Sequence, residues 1–298
     1  QPSFCDLELA RKNLQETIDL FGFTLTPRQR EAAENALATK DYYLIQGPPG
    51  TGKSFVISII VLTLLLKYEE KIVISGPTHL AINNVLSKVV SSSHGEILDQ
   101  VFKIGQSHNK MGLDTIVDGE LLKIKNHTHA PLTKIDAVGG SICGVTPYHM
   151  HTKRANCIDA DTIIVDEAGQ MTTALALMAM ARGKRVIFVG DHKQLSPIIN
   201  FKDHPDILSR SVFEHLWTGT NGVMLDRSFR MNGPICDFVS SKYYGGKLIS
   251  HNPGRRISIP LNTNDPVYDK TKPIVVKHID DTGTFISDKE AEYCAGVV

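Results

Sequence analysis

An excess of charge of one sign is the first thing this chain lacks. Lys plus Arg number 32 and Asp plus Glu 32 among 298 residues, so bulk charge argues neither for nor against a polyanionic partner. Any such partner must be held by a local groove. Paired cysteines are missing too. Cys5, Cys143, Cys157, Cys236 and Cys294 are odd in number and scattered. No C-x-x-C pair is among them, which argues against a zinc ribbon and a disulfide framework and predicts buried free thiols in a reducing compartment. Histidines show no tight metal-ligand spacing apart from His127-x-His129, for which solvated loop residues are the better reading. The start, Gln1-Pro2-Ser3-Phe4, has no basic region followed by an apolar core, and so no signal peptide. The longest apolar run, residues 55–66, is too short to span a bilayer. A cytoplasmic protein with no membrane partner is expected.

What the chain does have is Gly47-Pro48-Pro49-Gly50-Thr51-Gly52-Lys53-Ser54, a complete G-x-x-x-x-G-K-S phosphate loop. Its neighbours suit it. Tyr42-Tyr43-Leu44-Ile45 reads as a buried strand before it, and residues 55–66 as a buried helix after it. Loop N–H groups and the helix N-terminus then face phosphate oxygens. Lys53 is expected on the β- and γ-phosphates and Ser54 on Mg²⁺. Pro48-Pro49 stiffens the entry.

Short apolar strands follow at 72–75, 141–145, 162–165 and 185–189, alternating with helical stretches at 80–90 and 171–182. That rhythm predicts an α/β fold, a parallel sheet with its ligand at the carboxyl ends of the strands. Leu7 to Phe21 has helical apolar spacing, and Thr26-Pro27 opens another helix with Thr26 as N-cap. Residues 95–135 are polar and lack a strong period, which predicts a surface insertion. A boundary is expected near Asn221-Gly222, giving a helical segment 1–25, a first domain 26–221 and a partial second domain 222–298. Val223-Met224-Leu225 and Ile274-Val275-Val276 would be strands of the latter, and 252–273 a loop.

Thr162 to Val165 runs into Asp166-Glu167, the form of an acidic strand tip beside a phosphate loop. Asp166 would hold Mg²⁺, and Glu167 would orient and deprotonate the attacking water. In Gly190 to Pro197, Gln194 is placed to sense a γ-phosphate, although a solvated loop reads the same in isolation. In Asp226 to Met231 an arginine can act as a finger on the transferring phosphoryl group, and Phe229 can stack on adenine. A core Phe beside an exposed Arg fits that segment equally. Gly76 to Asn84, with Thr78, and Val145 to His149, with Thr146, can contact nucleic-acid phosphates or be simple helix caps.

Taken in order, these segments resemble superfamily 1 helicases, most of all the 1B branch that includes the nonsense-mediated-decay RNA helicase and DNA helicase-nucleases. The matches are Leu25-Thr26-Pro27-Arg28-Gln29, the phosphate loop, Gly76 to Asn84, Val145-Thr146, Asp166-Glu167-Ala168-Gly169-Gln170, Gly190 to Pro197 and Ser228-Phe229-Arg230-Met231. The resemblance implies RecA-like domains that use ATP and Mg²⁺ to move 5′ to 3′ along single-stranded DNA or RNA. Gln29 would read the adenine edge. Gln194 would couple the γ-phosphate to domain movement, and Arg230 would be the finger from the second domain. Phe229 stands where the family usually has Tyr. Thr78 and Thr146 would touch the strand's backbone. Two family motifs expected later in the second domain have no match before Val298, which points to a truncated piece, weakly active alone. A P-loop switch or binding module without unwinding is the alternative.

Overall fold

The computed structural model describes residues 6–106, 111–131, 138–155, 158–199, 210–219, 221–255, 274, 276, 278–280 and 287–297. They divide into two compact units, Gln1–Arg230 and Met231–Val298. No helix among the described residues is long and apolar enough to cross a membrane.

The first unit is an α/β layer structure. Its strands are β1 (Tyr42–Gln46), β2 (Lys71–Ser75), β3 (Val101–Ile104), the hairpin β4 (Asp114–Val117) and β5 (Glu120–Lys123), β6 (Lys125–His127), β7 (Ser141–Gly144), β8 (Ala160–Val165), β9 (Gly183–Gly190) and β10 (Gly222–Met224). All but the hairpin join one sheet in the order β10-β1-β9-β8-β2-β7-β3-β6, with every pair parallel. Because no strand is reversed, every carboxyl end lies on the same edge, and the loops that follow β1, β2, β7, β8 and β9 gather there.

Alternation along the strands covers both faces. Ile45, Ile74, Ile164 and Ile187 point into one core and Leu44, Val73, Ile163 and Phe188 into the other. Helices α1 (Leu7–Phe21), α2 (Pro27–Ala38), α3 (Lys53–Tyr68) and α4 (His79–Ser92) supply the first face. The second is closed by Met150, Met171, Ala176 and Phe213. The run 55–66 is apolar on all sides because α3 lies against α1, α2 and α4 as well as the sheet. Each fully buried Leu or Ile there contributes about 1.5–3 kcal/mol. Thr26 caps α2 in a reciprocal capping box with Gln29.

Three segments differ from the sequence expectation. Within 95–135, the described residues are not a surface insertion throughout. Val101, Phe102 and Ile104 are buried in β3, β6 extends the main sheet, and only the β4–β5 hairpin stands apart. Charged residues interleaved with the apolar ones hid these strands. Val223-Met224-Leu225 belongs to the first unit, since β10 pairs with β1 (Leu44 beside Gly222) and the Leu225 N–H donates to the Gln46 carbonyl. A Cβ on Gly222 would sit 2.3 Å from the Leu44 carbonyl oxygen, so glycine is what lets the chain close on that edge. The compact units part after Arg230, not near residue 221. Among the thiols, Cys143 and Cys236 are buried and Cys294 is exposed; Cys5 and Cys157 lie outside the described residues.

The second unit holds a helix, Gly233–Tyr243, capped by Asn232, and a helix Asp288–Val297. Val275, and 256–273 of the expected loop, lie outside the described residues.

Candidate active site

Gln46 ends β1, and Gly47 begins the phosphate loop by donating its N–H to the Gly190 carbonyl at the end of β9 (2.9 Å). The loop is held internally as well: Thr51 Oγ1 donates to the Pro48 carbonyl (2.8 Å) and Gln29 Nε2 to the Thr51 carbonyl (3.0 Å). Gly50 turns at φ +75°, a left-handed conformation that a Cβ would strain. Lys53 Nζ donates to the Gly47 carbonyl (3.0 Å), folded back across the loop it is expected to serve.

The acidic tip lies one strand away, beyond β9. Asp166 follows β8, its N–H given to the Ser75 carbonyl (2.9 Å), which fixes it against β2. The side chain is only 5% exposed. Its Oδ1 has no hydrogen-bond partner among the described residues. Burial, and then the neighbouring Glu167 charge, push its carboxyl up to about 7, against the opposing pull of Lys53. Lys53 and Asp166, far apart in sequence, therefore share one electrostatic environment. Glu167 sits at φ 53°, ψ 38°, a left-handed conformation rare for a side-chain-bearing residue, and the chain turns at once into Ala168–Gln170. Strain of this kind collects at functional sites.

Gln194 Nε2 donates to Asp191 Oδ2 (2.9 Å), while Asp191 Oδ1 accepts from Gln46 Nε2 (3.0 Å) and the Lys193 N–H (3.1 Å). Gln46 and Asp191 were missed in the sequence. The signal was a polar residue closing an otherwise apolar strand, directly before the loop. On the loop's other side, Ser228 Oγ donates to the Pro49 carbonyl (3.0 Å) and the Phe229 N–H to the Gly50 carbonyl (2.8 Å). A Cβ on Gly50 would meet Arg230 Cβ at 2.4 Å. Arg230 thus lies in the first unit, beside the loop.

The two threonines expected at a strand backbone differ. Thr78 is exposed and caps α4, its Oγ1 accepting from the Ala81 N–H (3.2 Å). Thr146 is buried and makes no side-chain cap bond, its hydroxyl lying 2.9 Å from His149 Nδ1.

A family model described as an AAA domain matches residues 24–232, and a second model of that description matches 208–295. The DNA replication ATP-dependent helicase/nuclease DNA2 of Gallus gallus is 29% identical over 227 residues, 75% of this chain and 22% of that protein. Regulator of nonsense transcripts 1 of Dictyostelium discoideum is 28% identical over 267 residues, 75% of this chain and 20% of that protein. The chain belongs to the AAA-domain helicases of superfamily 1B. The chain spans about a fifth of the length of those relatives. A solved arterivirus helicase, nonstructural protein 10 in complex with DNA, aligns over 79% of this chain and 48% of its own, at TM-score 0.45 and 17% identity.

In this chain, then, the loop 47–54, Asp166, Glu167, Gln194, Phe229 and Arg230 all belong to the first unit, around the ends of β1, β8 and β9. Gln29 braces the loop from α2. Thr78 and Thr146 follow β2 and β7, on the other half of the sheet.

Proposed function

We propose that this core hydrolyses ATP in line at the γ-phosphate and that turnover drives 5′-to-3′ movement along a single strand of DNA or RNA. The reading rests on one observation above the rest: the phosphate loop and the buried Asp166 close two parallel strands, β1 and β8, on one edge of the sheet with only β9 between them. Lys53 leaves the Gly47 carbonyl for the β- and γ-phosphates, and the amides of Gly47 to Gly52 cradle them. The residues fit a divalent cation, because Asp166 Oδ1 is buried without a partner among the described residues and burial alone disfavours its charge. Ser54 and Asp166 would hold Mg²⁺, whose charge offsets that developing on the phosphate oxygens.

Glu167 takes the proton of the attacking water, Gln194 orients toward the γ-phosphate, and Arg230, beside Gly50, neutralises the transferring group. Gln29 contacts the adenine edge and passes that contact to the loop through Thr51. Phe229 stacks on the base. The strand lies over Thr78 and Thr146. The relatives' names include both DNA replication and nonsense transcripts, so both kinds of strand enter the assay.

Titration with magnesium-ATP, alone and with single-stranded DNA or RNA, tests the reading. Saturable binding and strand-stimulated turnover are expected, with turnover lost by at least about 100-fold in Lys53→Ala while the melting temperature is kept. Wild-type turnover in Lys53→Ala overturns the site. Displacement of duplexes carrying only a 3′ tail overturns the direction.

A further inference from the structure

Away from the nucleotide, the ends of β2, β3 and β7 carry a group of side chains that the ATP chemistry does not use. Lys103, in β3, is 0% exposed. A Cβ built on the neighbouring Gly105 would lie 3.0 Å from Lys103 Nζ and 3.5 Å from His79 Cε1, so the ammonium and the imidazole converge on a spot that only a glycine leaves open. The His79 ring in turn meets the His149 ring edge-on, centroids 5.7 Å apart.

The Thr146 hydroxyl fixes one side of the His149 ring at Nδ1 and turns Nε2 to the other. Two charges act on His149, Arg154 and Lys103, and both are positive. Next to it, Tyr148 is 62% exposed. In a chain whose total charge is balanced, Arg154 and Lys103 put positive charge beside this ring, which favours a polyanion there. An aromatic platform beside positive charge is the usual recipe for a single strand.

We propose that His149 and His79, over the buried cation Lys103, seat a phosphodiester of single-stranded nucleic acid, with Tyr148 stacking on the adjoining base. The assignment rests on the strand-binding reading above and extends it to residues outside the expected threonines. Thr146, being buried, acts through His149, which presents its ring in the hydroxyl's place. Burial pushes the Lys103 ammonium down to about 8, which leaves it mostly charged at neutral pH. Its contribution is a field felt by the phosphate.

The test uses the whole chain and a labelled single-stranded oligothymidylate, with affinity read by fluorescence anisotropy between about 50 and 200 mM salt. Lys103→Met removes the charge at nearly the same volume. The slope of log affinity against log salt should then flatten by about 0.7, the value for one phosphate neutralised on a single strand. Tyr148→Ala should weaken binding by roughly 5- to 100-fold and leave that slope alone. A merely structural role for either residue would not separate the two readouts in this way.

If Lys103→Met fails to fold, His149→Ala takes its place and should weaken binding. Wild-type affinity and slope in Tyr148→Ala together with Lys103→Met, or with its substitute, overturn the seat while the strand-binding reading stands. A wild-type chain that binds magnesium-ATP but no single strand at any of these salt concentrations overturns the strand-binding reading itself, and the seat with it.

Discussion

The two edges of the parallel sheet treat charge in opposite ways. At the amino edge, Arg185 is pinned on every side. Its guanidinium donates to Glu70 Oε1 (2.5 Å), to Thr162 Oγ1 (2.6 Å) and to the carbonyls of Leu37 and Thr39 (2.9 and 3.0 Å). The same Thr162 hydroxyl donates to Glu70 Oε2, and Asp161 accepts from Lys184 and the Lys71 N–H. At the carboxyl edge, Asp166 keeps an oxygen with no partner among the described residues, Glu167 holds a strained backbone, and Lys53 is parked on its own loop. One edge spends its polar groups on joining α2, β2, β8 and β9. The other holds them in reserve for a ligand, at some loss of stability.

The largest effect that would break this contrast is catalytic. Glu167→Gln should lower strand-stimulated ATP hydrolysis by about 10²- to 10⁴-fold and leave magnesium-ATP binding in place, as measured by steady-state turnover and titration. Its unfolding free energy should not fall. Arg185→Met is the mirror experiment. It strands Glu70 in a largely buried site and should destabilise the fold by about 3–5 kcal/mol in urea unfolding, with turnover per folded molecule unchanged. A large rate loss in the Arg185 variant, or a large stability loss in the Glu167 variant, would erase the distinction between the edges.

How far the sequence showed this division depends on whether the signal is local. The phosphate loop, β1, β2, β7, β8, β9 and the helices around them were legible because each has a continuous apolar run or a motif with its own geometry. The acidic tip was legible because two carboxylates close an apolar strand. The strands β3 and β6 were not, since Lys103, Lys125 and Asn126 break the pattern that marks a buried strand. Lys103 looks solvated in sequence and is buried only because non-local neighbours fold over it. The fate of Val223-Met224-Leu225 depended on a pairing with β1, far away in the chain. The same holds for Asp191, whose role depends on Gln46 from another strand.

Lys103 also sharpens the comparison, being a charge on the ligand side that the fold has buried as deeply as any on the other. Burial holds its ammonium near 8 against 10.5 in its ordinary state. Between those values the unfolded chain carries the extra proton and the folded chain does not, so stability rises with pH across the window. The penalty is present in full below about pH 8 and lifted by about pH 10.5, with an upper size of about 3 kcal/mol at 1.36 kcal/mol per unit. Urea midpoints of wild type and Lys103→Met, compared at about pH 7 and about pH 10, should converge as pH rises. A constant difference between the two proteins would mean that the ammonium is not the source of the cost.

The smallest effect separates two jobs that one hydroxyl can do. Thr78 accepts the Ala81 N–H as the cap of α4 and stands exposed where a strand backbone is expected. Thr78→Ala should therefore cost about 1 kcal/mol of stability, whether or not a strand ever touches it. Thr78→Asp keeps a good cap and adds favourable charge at a helix start, so stability should hold or rise slightly. The same carboxylate would repel a phosphate. Oligonucleotide affinity should fall in the Asp variant while its urea midpoint does not, a combination that capping alone cannot produce. Equal affinity in Thr78→Asp and wild type would leave Thr78 a cap and nothing more, and would move the strand's first contact on this half of the sheet to the histidines beside it.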